Sequence, residues 1–382
     1  MAAQAAPVGL AVVGCGTISN EYLRNLTSFP DLRVLFCADL DVERAKAQAD
    51  TYGVPASGTA AQAVEYPDVD LVVNLTVPAA HAAVAQAAIA AGKNVWLEKP
   101  LALDTGTAQA VLAEADRVGL RVGCAPDTML GAGLQTARRV IEAGTIGVPQ
   151  TALALMQGPG PERWHPAPEF LFQRGAGPLF DMGPYYLSAL AMLFGPAEHV
   201  AALGRRGRDT RVIGSGPRAG TAFGVDVPTH VAALIGYLGG QAATLVLSFD
   251  SPLRRQGFVE ISGTEATLAL PDPNRFDGEV RVRAAGADDW TVIPATGATA
   301  GRGLGVLDMA RALRGGTGSR GDAGPPANQG PRASGEMALH VLETMEAIGR
   351  SIDDGTFEPV QTTFTVPDAL AADWDPHART LA

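Results

Sequence analysis

The chain has 382 residues, 47% of them hydrophobic and 18% charged, with a formal net charge of -11 at pH 7. That length suggests two domains or one large one with ample apolar material for a core, and the acidic balance argues against nucleic acid or an anionic membrane as partner. No apolar run is long enough to span a bilayer and the opening MAAQAAP has no basic region, so the reading is a cytoplasmic protein without a signal peptide.

Residues 9–13 form a short apolar strand that runs into Gly14-Cys15-Gly16-Thr17-Ile18-Ser19, and a helix follows from about residue 20. This is the G-x-G-x-x-G arrangement with Ser19 in the third glycine position. Gly14 permits the tight turn, Gly16 lets backbone approach a pyrophosphate, and a small serine is tolerated where only helix–strand packing is at stake. The helix N-terminus, with Thr17 and Ile18, would offer N–H groups and a positive dipole to phosphate. A second strand, Leu32–Ala38, ends in Asp39, about twenty residues past the glycines, where an acid would accept hydrogen bonds from the adenosine ribose. Asp41 adds a second negative charge and no Arg or Lys immediately follows Asp39, so NAD is favoured over NADP. The alternative is that Asp39 only caps the helix Val42–Tyr52.

The alternation of strand and helix continues. Asp70-Leu71-Val72-Val73-Asn74 is strand, and Thr76-Val77-Pro78-Ala79-Ala80-His81 opens an alanine-rich helix. Asn94–Leu97 is strand and delivers Glu98, Lys99 and Pro100 at its carboxyl end, where ligands of open α/β sheets bind. Pro100 restrains Lys99 before it and so aims the ammonium. Thr105–Arg117 is helix, and residues 121–124 are the last strand. Such alternation argues a doubly wound parallel sheet.

These residues resemble the Gfo/Idh/MocA oxidoreductases over nearly the whole chain: the Gly14–Ser19 turn, Asp39, Thr76-x-Pro78-x-x-His81 and, most specifically, Glu98-Lys99-Pro100. The resemblance implies an NAD-dependent dehydrogenase of a sugar, cyclitol or related polyol, with Lys99 touching nicotinamide and substrate and a cis Lys99–Pro100 bond. It also implies that Thr76, Pro78, His81 and Glu98 line the cofactor site.

From about residue 151 strand-like runs follow one another at 229–238, 242–249, 258–262, 266–270, 278–284 and 290–294 without helices between them. That suggests an α+β domain with a large, mostly antiparallel sheet. The resemblance adds that this sheet is open-faced and that its bare face joins subunits into a homodimer or homotetramer. The expected division is 1–125 for the NAD-binding Rossmann domain and 126–382 for the substrate-binding and oligomerisation domain.

Within the second part, Gly175 to Tyr186 is the other chemical stretch. Pro184 is expected in a helix's first turn, which starts that helix near Met182 and leaves Asp181 at its N-cap with Tyr185 four residues on. The family usually has Asp-x-Gly-x-His here. This chain keeps Asp181 and Gly183 but places Tyr185 where the histidine stands, as in the glucose–fructose oxidoreductase branch. A free tyrosine, with a pKa of about 10, is a poor base at neutral pH unless a cation favours the phenolate. Lys99, beside an oxidised nicotinamide, feels like-charge repulsion that lowers its own pKa. Lys99, Asp181 and Tyr185 are therefore the catalytic candidates. Trp164 and His165, on a Pro-rich loop, are candidates for holding a sugar ring, and a packed surface loop fits them equally.

His230 and His340 read as structural, and no cluster has metal-ligand spacing. Cys15, Cys37 and Cys124 read as buried free thiols. Gly315 to Pro331 reads as a flexible Gly/Pro-rich surface loop, and residues 360–364 as one more strand. Two other functions share the fold: a redox-neutral sugar transformation with tightly held NAD, and a nucleotide-binding sensor without turnover.

Overall fold

The computed structural model describes residues 6–315 and 330–381, so the Gly/Pro-rich stretch lies from 316 to 329 outside the described residues. The chain divides into two compact units. The first takes Met1–Gln135, Thr296–Leu339 and Pro367–Ala382, and the second Thr136–Ala295 and His340–Val366.

In the first unit the elements run β1 (Val8–Val13), α1 (Ser19–Leu26), β2 (Leu32–Ala38), α2 (Val42–Tyr52), β3 (Ala56–Gly58), α3 (Ala60–Glu65), β4 (Leu71–Asn74), α4 (Pro78–Ala90), β5 (Asn94–Leu97), α5 (Thr105–Arg117) and β6 (Val122–Cys124). The sheet is wholly parallel, in the order β3-β2-β1-β4-β5-β6. The chain winds outward in both directions from β1, so a crevice opens at the carboxyl ends of β1 and β4. Every residue of β1 and β4 is buried, as expected of strands covered on both faces. Asp41, not Asp39, caps α2: its carboxylate accepts the Arg44 N–H at 3.2 Å. That frees Asp39 from the capping role.

The second unit begins within α6 (Ala132–Glu142) and continues with β7 (Pro149–Gln157), α7 (Gly177–Phe194), β8 (Ala197–Arg205), β9 (Thr210–Val212), β10 (Ala222–Gly224), β11 (His230–Tyr237), β12 (Ala242–Ser248), β13 (Arg255–Gly263), β14 (Ala266–Leu270), β15 (Val280–Ala284) and β16 (Thr291–Ile293). After α8 (Leu304–Leu313), in the first unit, come α9 (Gly335–Asp354) and the short β17 (Glu358–Pro359). Nine strands form one sheet, β16-β15-β14-β13-β7-β12-β11-β8-β17, antiparallel except for the pair β7–β12. Helix α7 packs on one face, over β7, β11 and β12. On β11, Val231, Ala233, Ile235 and Tyr237 are buried, while Leu234 on the other face is 56% exposed. Leu234 pairs with Thr244 and Ala201, and Thr244 with Leu153, so a largely apolar row crosses four strands, its two leucines exposed and Ala201 and Thr244 half-buried.

Two expectations fail here. Helix α7 starts at Gly177, not near Met182, so Asp181 lies inside it and Ala176 is the cap residue. Pro178, not Pro184, is the proline of the first turn, and Gly177 enters with φ +76°. Pro184 sits mid-helix, at a cost of about 3 kcal/mol. Burial of Tyr186, Leu187, Leu190 and Met192 from the same helix offsets it. The strand expected over 360–364 does not form either. The N–H groups of Gln361 and Thr362 donate to the Glu343 carboxylate of α9, at 2.9 and 2.7 Å, instead of to a neighbouring strand.

Two packing details fix the first unit. Trp96 of β5 is fully buried against Gly123 and Gly305, where an added Cβ would stand 2.7 and 2.0 Å from its ring. Only glycine allows that approach. Asp31, in the loop before β2, accepts bonds from Arg311 Nε at 2.9 Å and from the Thr380 and Leu381 N–H groups at 3.0 Å each. Arg311 lies over the Trp374 ring, 4.7 Å from its centroid. Burial pushes the Asp31 carboxyl up, but these bonds outweigh it and hold it below the usual range. His340 is a structural histidine: its Nε2 accepts the Ala197 N–H at 2.9 Å, and burial lowers its pKa. All three cysteines are buried thiols. Among the described residues no helix is long and apolar enough to cross a membrane.

Candidate active site

The first unit gathers its candidates at the carboxyl ends of four neighbouring strands. After β1, Gly14 turns with φ +100° and donates its N–H to Ala38 O at 2.8 Å. A Cβ on Gly14 would lie 2.6 Å from the Leu75 carbonyl, so this residue is glycine for both backbone and space. Gly16 faces open space, with nothing within 4 Å of where a Cβ would be. Gly16 and Thr17 are exposed and Ile18 is half-buried. Ser19 is fully buried and its hydroxyl donates to Gly16 O at 2.7 Å, so the serine closes the turn from inside. No side chain caps α1, which leaves its N-terminal dipole for an anion. An open glycine face, an uncapped helix and an acid at the next strand end fit a dinucleotide.

That acid is Asp39. Its Oδ2 accepts the Cys15 N–H at 2.7 Å and its Oδ1 the Asp41 N–H at 2.9 Å. After β4, Thr76 donates its hydroxyl to Asn74 Oδ1 at 2.6 Å, and Asn74 Nδ2 reaches His81 O at 3.0 Å. Pro78, exposed, starts α4. His81 is fully buried, with Nδ1 2.6 Å from Pro100 O and Nε2 3.0 Å from Thr76 O. It therefore ties the Thr76 loop to the Lys99–Pro100 corner, and its ring nitrogens face protein carbonyls.

After β5, the Lys99–Pro100 bond is cis and Lys99 is half-buried. Glu98 turns inward. Its Oε1 accepts the Tyr22 phenol at 2.7 Å and its Oε2 the Lys99 N–H at 3.0 Å. Tyr22, in α1, is fully buried and also accepts Trp96 Nε1–H at 3.4 Å, and burial followed by the Glu98 charge pushes its phenol well up. The glycine-turn helix and the lysine corner are thus joined through one hydrogen-bonded carboxylate.

Asp127 lies in the same charged neighbourhood and is wholly buried. Its Oδ2 accepts the Gly303 and Gly305 N–H groups at 2.8 and 3.2 Å, capping α8 from across the chain. Its Oδ1 has no hydrogen-bond partner among the described residues and stands 3.7 Å from Arg302 Nη1. Burial pushes the Asp127 carboxyl up to about 6, against the pull of Arg302. Tyr22, Asn74 and Asp127 carry little local signal in the sequence. Tyr22 lies among the buried residues of α1, and Asp127 meets partners 176 and 178 residues away.

In the second unit Asp181 and Tyr185 stand four residues apart on α7, on one side of the helix. Asp181 is half-buried and Tyr185 is 6% exposed. Tyr186 beside them is structural, accepting the Gly257 N–H at 2.8 Å. Trp164 is 62% exposed; its ring lies 5.5 Å from that of His165, which lies 5.4 Å from Phe170. Beneath this aromatic group Arg211, 2% exposed, pairs with Glu162 at 2.6 Å and with Asp250, while Thr229 donates to Asp250 at 2.5 Å. A buried ion network therefore supports the loop that presents Trp164.

Residues 8–125 match the oxidoreductase family with an NAD-binding Rossmann fold, and residues 134–269 match the GFO/IDH/MocA C-terminal domain. The chain is 29% identical to trans-1,2-dihydrobenzene-1,2-diol dehydrogenase of Bos taurus over 267 residues, covering 69% of this chain and 73% of that protein. It is 32% identical to inositol 2-dehydrogenase of Ralstonia nicotianae over 144 residues, 37% of this chain and 43% of that one. Its fold matches the crystal structure of an NAD binding oxidoreductase from Klebsiella pneumoniae with a TM-score of 0.78 at 24% identity, covering 94% of this chain and all of the other.

Proposed function

Because the chain belongs to the Gfo/Idh/MocA family of NAD-binding oxidoreductases, we propose that it moves a hydride between NAD and a secondary hydroxyl of a sugar, cyclitol or related polyol. The observation that carries this reading is the row of strand ends in one parallel sheet: the Gly14–Gly16 turn after β1, Asp39 after β2, Thr76 after β4 and Lys99 after β5. The relatives named for a cyclic diol and for inositol support a ring-borne hydroxyl.

Gly14, Gly16, Thr17, Ile18 and the N-terminus of α1 hold the pyrophosphate, and Asp39 holds the adenosine ribose. Thr76 and Pro78 line the nicotinamide half, His81 and Glu98 shape it from behind, and bound NAD supplies the hydride acceptor. Lys99 takes the hydroxyl proton, Asp181 orients the substrate, and Tyr185 assists proton transfer or positions the hydroxyl. Trp164 and His165 meet the apolar face of a ring. Residues 1–125 thus serve the cofactor, completed by the later stretches of the first unit, and the rest of the chain from 126 onward serves the substrate. NAD is preferred over NADP, the protein works in the cytoplasm, and the bare face of the nine-stranded sheet joins copies into a homodimer or homotetramer.

Two measurements test the assignment. Dialysed protein titrated with NADH should quench or enhance nicotinamide fluorescence saturably, and a screen of cyclitols and sugars should then reduce NAD. Lys99→Ala should lower turnover by about 10²- to 10⁴-fold. NADH affinity in the same variant should stay within about threefold. Undiminished turnover in the variant would remove Lys99 from the chemistry.

A further inference from the structure

The ribose corner holds a cation that the order of residues after Asp39 did not reveal. Asp39 is turned inward: its side chain is 10% exposed, and each carboxylate oxygen already accepts a backbone N–H. Asp41 and Arg44, by contrast, are each 51% exposed. Asp41 Oδ1 accepts the Arg44 N–H at 3.2 Å and Oδ2 the Arg44 Nη2–H at 3.2 Å, while Arg44 Nη1 stands 3.5 Å from Asp39 Oδ1. One carboxylate therefore covers the N-terminus of the 11-residue helix α2 and pairs with the guanidinium of this cluster.

Those two features are what a phosphate would seek. A guanidinium matches phosphate geometry with paired N–H donors, and a helix N-terminus adds free N–H groups and a favourable dipole. We infer that the Asp41–Arg44 pair adds to Asp39 in deciding between the two dinucleotides: Asp41 fills the seat and holds the cation that an adenosine 2′-phosphate would otherwise take. Asp39 accepts from the ribose hydroxyls, and its charge opposes a 2′-phosphate in every variant alike. A 2′-phosphate, at about -1.5 to -2 charge, meets the Asp41 carboxylate before it meets Arg44. The inference rests on the dinucleotide reading above and deepens it.

Asp41→Ser tests it, because serine caps a helix about as well as aspartate and α2 keeps its start. Fluorescence titrations with NADH and NADPH, at low and moderate salt, are run on the wild type, Asp41→Ser and Asp41→Ser/Arg44→Ala. The wild type should bind NADH at least about tenfold more tightly than NADPH. Asp41→Ser should tighten NADPH by about tenfold, with the gain shrinking as salt screens the new ion pair. NADH should change by less than about threefold, since no contact to the ribose acid is lost. The double variant should return NADPH to the wild-type value. If Asp41→Ser binds NADH normally and leaves NADPH unmoved, or if the wild type binds both alike, the pair does not select and the inference is wrong. If the wild type binds neither, the dinucleotide reading itself falls and takes the inference with it.

Discussion

The two sheets differ in how they dispose of apolar surface. The parallel sheet is covered on both faces: β1 and β4 have no exposed residue, and Trp96 is sealed between two glycines. The nine-stranded sheet is covered on one. Its inner rows are buried under α7, while Leu153, Leu203, Leu234 and Leu238 stand 39%, 77%, 56% and 59% exposed. With Phe357 at 68%, some of these residues line an open cavity of about 400 Å³. A row of leucines left in water is unusual for a lone subunit, whereas a sheet with no free face leaves nothing for a partner. One sheet therefore places residues at its edge, and the other leaves an apolar face open.

That contrast can be broken at its strongest point first. If the parallel sheet tolerates no added volume, Gly305→Ala, whose Cβ would stand 2.0 Å from the Trp96 ring, should be heavily destabilising. A loss of about 3 kcal/mol or more in urea unfolding is expected, because an overfilled core moves ring and backbone together. A loss under about 0.5 kcal/mol would mean that Trp96 has room to shift.

Buried charge gives the next largest effect. The Asp127 carboxyl sits at about 6 in the fold, above the ordinary 3.8. The folded form then holds an extra proton between those values, so stability is fullest at low pH and declines as pH rises toward 6. The sign is opposite for Asp31, which is held low and loses its contribution as pH falls. Asp127→Asn cannot titrate and cancels every shared term. It should gain on the wild type by roughly 2–3 kcal/mol between pH 4 and pH 7. A pH-independent difference between the two proteins would refute the burial argument.

The smallest effect on stability belongs to the open face. Leu234→Glu should change monomer stability by no more than about 0.5–1 kcal/mol. In sedimentation velocity, however, it should convert a wild-type dimer or tetramer into smaller species. A wild type already monomeric at micromolar concentration would retire the subunit-interface proposal.

The difference between the sheets also governs what could be read from sequence. Strands β1, β2, β4 and β5 are near-continuous apolar runs because both faces are covered, and each ends in a turn or polar residue with a chemical meaning. The glycine turn, Asp39 and Glu98-Lys99-Pro100 were all visible in this way. On the second sheet β7 and β8 escaped notice, because apolar residues on alternate faces blur the period, as in Thr151 to Met156. The start of α7 was misplaced because two prolines competed for one first turn, and burial along the helix decided between them. Asp127 and its glycine partners carry no local signal. The Asp41–Arg44 pair does carry one, an acid and an arginine three residues apart at the start of a helix, which the residue directly after Asp39 does not show.

The first unit is assembled from three stretches of chain, and that has a consequence for synthesis. When a ribosome has made residues 1–135, Asp127 still lacks the α8 backbone that it caps, and Trp96 has no Gly305 beside it. Asp31 waits longer still, for Arg311 and then for Thr380 and Leu381. The nucleotide half is therefore begun first and completed last. A nascent chain halted before residue 296 would leave Asp31 and Asp127 without these partners, so the fold of the first unit has to wait for contacts of high sequence separation.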